Sequence, residues 1–301
     1  MSKSPANCAP DPTDKLAMST KILHISDLHF GPSFVPAVAE ALLQTIPPLA
    51  PDAIVASGDL TQRAKRAQFE ACKQFFDRLP DKPMLVVPGN HDVPLYRVFE
   101  RLIRPHALYC EIIHPDLNPV LQVGNVVLAG LDSTAPRSAI SNGRIHRHQL
   151  RHFEAVFAAM PEDMARIVVA HHHFAPGHDK VFDVAMPGSR RAIDCFVEQK
   201  VEMILGGHLH RSYIGNSLDF YPGHHRERGV IIVQCGTSTS TRGKGRERDE
   251  NTFNLIEVGT ETLAVTHYLY FEAAGRFVAI SKHVFPRVGR TLDAGDGFTP
   301  K

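Results

Sequence analysis

The sequence predicts an α/β fold, with parallel strands joined by amphipathic helices, on three observations. Short apolar segments alternate with helix-period segments through the first half of the chain. β-like segments crowd its last third, and polar residues recur wherever the apolar segments stop. "KILHIS" is the first buried strand. Val35, Val38, Ala39, Leu42, Leu43 and Ile46 then recur at helical spacing, and Pro47-Pro48 is expected to close that helix. "DAIVASGD" is the second strand, Phe69, Cys72, Phe76 and Leu79 mark a second helix, and "PMLVVPGNHD" is the third strand. The order βαβαβ implies parallel strands with right-handed crossovers.

The second half continues the alternation. "PVLQVGNVVLAGLD" reads as a hairpin about Gly124-Asn125, and a helix follows near residues 146 to 159 with Leu150, Phe153 and Phe157 inward. "ARIVVAHHH" is a strand, "GSRRAIDCFVEQK" a helix and "VEMILGGHLH" a strand. "GVIIVQCG", "TFNLIEV" and "LAVTHYLYF" are β-like and expected to pair antiparallel.

A chain of 301 residues is long enough for a large core. Its net charge of +1 offers no general attraction for nucleic acid or anionic lipid. Five scattered cysteines without CxxC spacing argue against a disulfide framework and point to the cytoplasm. No run approaches the roughly 18 apolar residues of a membrane span. Residues 1–19 lack a signal-peptide core and read as a disordered tail, and residues 288–301 as a loose C-terminal tail, leaving 20–287 as the domain. Nothing in the pattern sets an oligomeric state.

Five strand ends carry polar side chains: Asp27 and His29, Asp59, Asn90 to Asp92, His171, and His208 with His210. In open α/β sheets ligands bind outside the carboxyl ends of strands, so residues far apart in sequence gather on one rim. All of them offer oxygen or nitrogen to a borderline or hard metal. Glycines beside them (Gly58, Gly89, Gly206, Gly207) permit tight turns and close approaches.

The series D-x-H, G-D, G-N-H-D, V-V-x-H, G-H-x-H resembles the calcineurin-like metallophosphoesterases, across roughly residues 20 to 270. The resemblance implies a four-layer αββα sandwich, mixed sheets flanked by helices, with two divalent metal ions (Mn, Fe or Zn) at its rim. It implies that Asp27, His29 and His210 hold one metal, that Asn90, His171 and His208 hold the other, and that Asp59 bridges them. His91 would face the substrate and steady or protonate the leaving oxygen, and Asp92 would orient His91 through a hydrogen bond. Two cations about 3.5–4 Å apart repel, which is why an anionic bridge is needed; hydroxide between them then attacks phosphorus in line.

The expected activity is hydrolysis of a small phosphodiester, with 3',5'-cyclic nucleotides as the first substrate class. A phosphomonoesterase, or a pyrophosphatase acting on a nucleotide- or lipid-linked diphosphate, would use the same metals. A nuclease should show a basic groove, and a non-catalytic scaffold should bind no metal; neither matches this charge balance and full ligand set. The fourth motif departs from the common H-H-P-P, reading His171-His172-His173-Phe174, so His172 and His173 remain open as ligands.

Other histidines read more plainly. His24 is expected to pack in the core, and His146, His148 and His152 to line a solvated helix face. His224-His225 could border the site mouth or be loop. Asp132, and the stretch "GRIHRHQLRHFEAVFA" with Phe153 in place of the usual tryptophan, resemble the cyclic-nucleotide-phosphodiesterase-like members. The run Arg242, Lys244, Arg246, Arg248, diluted by Glu247, Asp249 and Glu250, reads first as a solvated loop and second as a phosphate-binding one.

Overall fold

Apolar residues in the strands alternate with period two, and both members of each alternation are buried, so every central strand must be covered on both faces. A computed structural model describes residues 19–138, 143–176, 184–221, 229–248 and 250–287. The elements run β1 (Thr20–Ile25), α1 (Pro36–Leu49), β2 (Ala53–Ala56), α2 (Arg66–Phe76), β3 (Met84–Val86), α3 (Val98–Ile103), α4 (Ala107–Ile112), β4 (Val120–Val123) and β5 (Val126–Leu131). They continue α5 (Arg147–Ala158), β6 (Ala165–Ala170), α6 (Ser189–Glu198), β7 (Val201–Gly206), β8 (Tyr213–Asn216), β9 (Ile231–Gln234), β10 (Thr252–Val258), β11 (Thr262–Phe271) and β12 (Arg276–Pro286). The tails, Cys8, Asp249 and His224-His225 lie outside the described residues.

One sheet has the order β12-β11-β10-β1-β2-β3, the other β4-β5-β6-β7-β9-β8. Strands β1, β2 and β3 are mutually parallel, as are β5, β6, β7 and β9. The alternation sorts side chains among three cores. Leu23, Ile25, Ile54 and Ala56 pack with Val38, Leu42, Phe69 and Cys72 of α1 and α2. Val127, Ala129, Val168 and Ile204 pack with Leu150, Phe153, Phe157 and Phe196 of α5 and α6. Ile22, Val55, Leu128, Ile167, Met203 and Ile256 meet between the sheets. The result is the four-layer αββα sandwich.

Two expectations change. Segment "GVIIVQCG" does not join β10 and β11; its strand β9 pairs parallel with β7 and antiparallel with β8, in the other sheet. The missed β8 supplies its antiparallel partner, which no periodicity in "YIGN" announces. Pro47 and Pro48 do not close α1 but form its last turn, where their fixed φ suits a helix. The stop comes at Ala50, left-handed at φ 48°, whose N–H reaches Pro47 O. The described cysteines are all free thiols.

His24 is buried between the sheets, its Nε2 2.9 Å from Ser57 Oγ and its Nδ1 3.4 Å from Asn254 Nδ2. Asn254 Oδ1 in turn accepts from His267 Nδ1 at 2.8 Å. Burial drives the His24 pKa down to about 3 despite the Asp27 charge. Its folded value lies below the unfolded one, so the unfolded chain binds the extra proton as pH falls. The contribution is whole above pH ~6.5 and is lost toward pH 3. Between pH 7 and 5 it removes about 2 kcal/mol from the metal-free protein. Urea unfolding should show His24→Leu losing that much less stability than the parent over this interval; equal losses would contradict the assignment.

Candidate metal centre

The parallel strands end at one edge shared by both sheets. Asp27 and His29 follow β1, Asp59 follows β2, Asn90 to Asp92 form a 3-10 turn after β3, His171 follows β6, and His208 and His210 follow β7. Asp27, His29, Asp59, His208 and His210 all adopt left-handed backbone, with φ of 53°, 51°, 52°, 72° and 55°. This conformation is costly for residues with a Cβ, so it persists where surrounding bonds enforce it. Asp27 N–H donates to Gly58 O and His29 N–H to Asp59 O, both at 3.0 Å, and His208 N–H donates to Asp27 Oδ2 at 3.1 Å.

Two donor sets result. In the first, His210 Nε2 lies 3.2 Å from Asp27 Oδ1 and 3.1 Å from His29 Nε2, and His29 Nε2 lies 3.7 Å from Asp59 Oδ2. In the second, Asn90 Oδ1 lies 3.2 Å from His171 Nε2 and 2.9 Å from His208 Nδ1, and Asp59 Oδ1 lies 3.3 Å from His171 Nε2. Asp59 sends one oxygen toward each set.

The donor chemistry fits a pair of divalent cations. His210 Nδ1 donates to Arg242 O at 2.8 Å and His171 Nδ1 to Ser57 O at 2.9 Å. In the neutral ring each Nε2 then presents a lone pair toward a carboxylate or amide oxygen. Asp27 Oδ1 and Asp59 Oδ2 are buried without hydrogen-bond partners among the described residues. Acceptors crowded together without protons between them need positive charge. The pKa values say the same. Burial pushes Asp27 and Asp59 up, but the facing histidines prevail and hold both well below the usual carboxylate range. Burial lowers His171, yet Asp59 overrides it and raises His171 to about 9. Burial takes His29 down to about 4.

His91 stands at the open side of the centre, its ring edge-on to His29 at 5.0 Å. Its Nδ1 donates to Gln62 O at 2.9 Å, and its Nε2 faces Arg242 Nη2 at 3.3 Å and so accepts from it. Asp92 does not orient His91. Its carboxylate accepts from Thr61 N (2.8 Å), Gly89 N (2.9 Å), Thr61 Oγ1 (3.0 Å) and Leu60 N (3.1 Å), clamping the two loops that carry Asp59 and His91. The 3-10 turn at Asn90–Asp92 brings the side chain back onto the Gly89 amide, away from the adjacent ring. Burial, then the Asp59 charge, raise Asp92 to about 7.

Of the three consecutive histidines, His171 meets Asp59 and Asn90, while His172 Nδ1 meets Ser133 Oγ at 2.8 Å and His173 Nε2 meets Val184 O at 2.9 Å. One ring nitrogen of His172 still lies within 4.8 Å of those of His171 and His208. His146, which precedes α5, and His148 and His152 on it are exposed and join neither metal-capable group found among the described residues. Asp132 holds a loop, accepting from Thr134 N at 2.8 Å. Arg242, read first as part of a solvated loop, borders the site instead. Its signal was weak because neighbouring acidic residues dilute the basic run, and only the fold shows Arg242 turning toward His91.

Glycines set the spacing. A Cβ on Gly89 would overlap the Asp59 carboxylate and backbone nitrogen, and one on Gly207 would overlap Ser26 Oγ and Asp27 Oδ2. Gly89→Ala is therefore expected to cost about 1–3 kcal/mol through overpacking and to lower metal retention. Denaturant unfolding paired with metal analysis checks both, and parental values would show that the loops relax freely.

Comparison with known proteins agrees with this architecture. The chain is 26% identical over 220 residues to a probable cyclic nucleotide phosphodiesterase of a Synechococcus species, covering 69% of this chain and 80% of that protein. Its fold superposes on the purple acid phosphatase PPD1 of yellow lupin (Lupinus luteus) with a TM-score of 0.68 at 12% identity, over 89% of this chain and 54% of that one. PhoD gives 0.65 at 11% identity, over 92% and 73%, and a dimetal phosphatase from Danio rerio gives 0.57 at 12%, over 89% and 99%. The chain spans about half the length of the lupin enzyme. No helix among the described residues is long and apolar enough to cross a membrane. The model of the calcineurin-like phosphoesterases matches residues 20–212, the span that carries all five strand-end motifs, and the chain belongs to that family.

Proposed function

We propose that the protein is a dinuclear metal-dependent phosphodiesterase of small molecules, with 3',5'-cyclic nucleotides as the first substrate class and residues 20–287 as its catalytic domain. The observation that carries the reading is Asp59, whose two oxygens face two separate donor sets. Asp27, His29 and His210 would hold one cation, Asn90, His171 and His208 the other, with Asp59 between them. When bound, such a pair supplies Lewis-acid charge to phosphoryl oxygens and lowers the pKa of an attacking water.

The chain's own side chains do the rest. Arg242 O and Ser57 O fix the tautomers of His210 and His171 so that each Nε2 faces inward. Gln62 O fixes the His91 ring, leaving Nε2 free to carry a proton to a departing oxygen once the substrate draws Arg242 aside. Arg242 and Arg63, whose Nη1 lies 3.4 Å from His91 Nδ1, bring positive charge to the place where an anionic phosphate would rest. The Synechococcus relative, a probable cyclic nucleotide phosphodiesterase, supports diesters as the first class to screen.

The deciding assay measures metal content and compares Mn-supplemented hydrolysis of bis-p-nitrophenyl phosphate with that of p-nitrophenyl phosphate. Two metals per chain and faster diester cleavage are expected. Faster monoester cleavage would replace the reading with a phosphatase, and neither metal nor turnover after reconstitution would overturn it.

A further inference from the structure

Beside the site lies an apolar surface that the chemistry of the metal centre does not explain. After the Asn90–Asp92 turn the chain passes Tyr96 and enters α3; Tyr96 and, on the helix, Val98, Phe99, Leu102 and Ile103 are all exposed, Phe99 by 83% and Ile103 by 72%. Single exposed apolar residues are ordinary, but a contiguous run of large ones marks a binding surface. No residue of α3 is buried, so the helix contributes nothing to the core. Polar ties hold it instead: Arg97 Nη2 donates to Ala64 O at 2.6 Å and Arg101 Nη1 to Pro94 O at 3.3 Å.

This surface is continuous with the metal centre. The Arg63 guanidinium lies 5.9 Å from the Tyr96 ring centroid, while its Nη1 lies 3.4 Å from His91. One arginine thus spans from the reacting end of the site to the first aromatic residue of the patch. The charges around the run are basic, Arg63, Arg101 and Arg104, while Glu100 is paired with Arg97. An occupant complementary to both parts must join an anionic group at His91 to a hydrocarbon lying over α3.

We infer that the site takes an amphiphilic phosphoester, its phosphate beside His91, Arg63 and Arg242 and its hydrocarbon chain across Tyr96, Phe99 and Ile103. The inference rests on the phosphodiesterase reading above. Hydrolysis breaks one P–O bond; water gives its oxygen to phosphorus, and a proton goes to the departing oxygen.

The test compares kcat/KM of the Mn-supplemented full chain for p-nitrophenyl octyl phosphate, below its critical micelle concentration, with that for p-nitrophenyl methyl phosphate. A fully buried methylene is worth about fourfold, and a shallow surface covers only part of seven more, so a preference of about tenfold or greater for the octyl ester is expected. The double variant Phe99→Ser, Ile103→Ser should cut this ratio by about fivefold, and a ratio cancels any general change in turnover. A preference below tenfold with measurable methyl-ester cleavage overturns the inference alone. No cleavage of either ester overturns it together with the reading it rests on. Sedimentation supplies a further arm: if the parent is a dimer, the variant a monomer and the ratio unmoved, the surface belongs to a second copy and the inference fails.

Discussion

Asp59→Ala is expected to empty both metal positions and to lower turnover on the order of 10³-fold or more, the scale lost with a group that stabilises transition-state charge. The physical reason is that one side chain faces two donor sets. Its Oδ2 faces His29 at 3.7 Å and its Oδ1 faces His171 at 3.3 Å, so on the proposed reading removal would deprive both cations of their shared anion. Two cations at bridging distance then repel without compensation. The His91 amide, which donates to Asp59 Oδ1 at 2.8 Å, also loses its acceptor. Asp59→Asn separates charge from shape, since it keeps the volume and an oxygen but no net charge. Metal analysis should find Asn nearly as depleted as Ala. Parental metal content in Asp59→Asn would place the bridging role elsewhere.

His91→Ala is expected to keep the metals and lower kcat by about 10²–10⁴-fold, the usual contribution of a positioned acid–base group. The ring touches His29 edge-on but contributes to neither donor set. Its Nδ1 is committed to Gln62 O and its Nε2 accepts from Arg242, so a proton it transfers must first be taken up at Nε2 once Arg242 has moved aside. The loss should be greater for an alkyl leaving group than for p-nitrophenolate, because a poor leaving group depends more on protonation. Unchanged metal content with this leaving-group dependence supports the role. Hydrolysis at the parental rate would show that His91 transfers no proton.

Much of the candidate centre is legible in the sequence. Each motif follows an apolar strand, and a strand that ends in Asp-x-His or Gly-His-x-His has no packing reason to do so. The glycines beside these motifs pointed to close approach, and the overlaps a Cβ would make at Gly89 and Gly207 show where it occurs. Asp92 was harder to read. Adjacency to His91 invited a hydrogen bond between neighbours, but the 3-10 turn carries its carboxylate to amides some thirty residues earlier in the chain, at Leu60 and Thr61. Arg242 was harder still, since a basic residue among acidic ones carries no periodic signal. The apolar surface of α3 was also illegible, because "YRVFERLIRPH" reads as part of a loop bordering the pocket.

The sequence by itself determined most of the strands, β8 and β12 excepted, their alternation with helices and the chemistry at their ends. Those properties are local: side-chain period, turn residues and donor type are written within a few positions. Tertiary structure alone decided which sheet receives "GVIIVQCG", where the Asp92 carboxylate points, that Arg242 meets His91, and that α3 turns its apolar residues outward. Each of these depends on a partner distant in the chain. Strand pairing and side-chain direction follow from which surfaces remain to be covered once the cores have formed, and no short stretch of sequence carries that information.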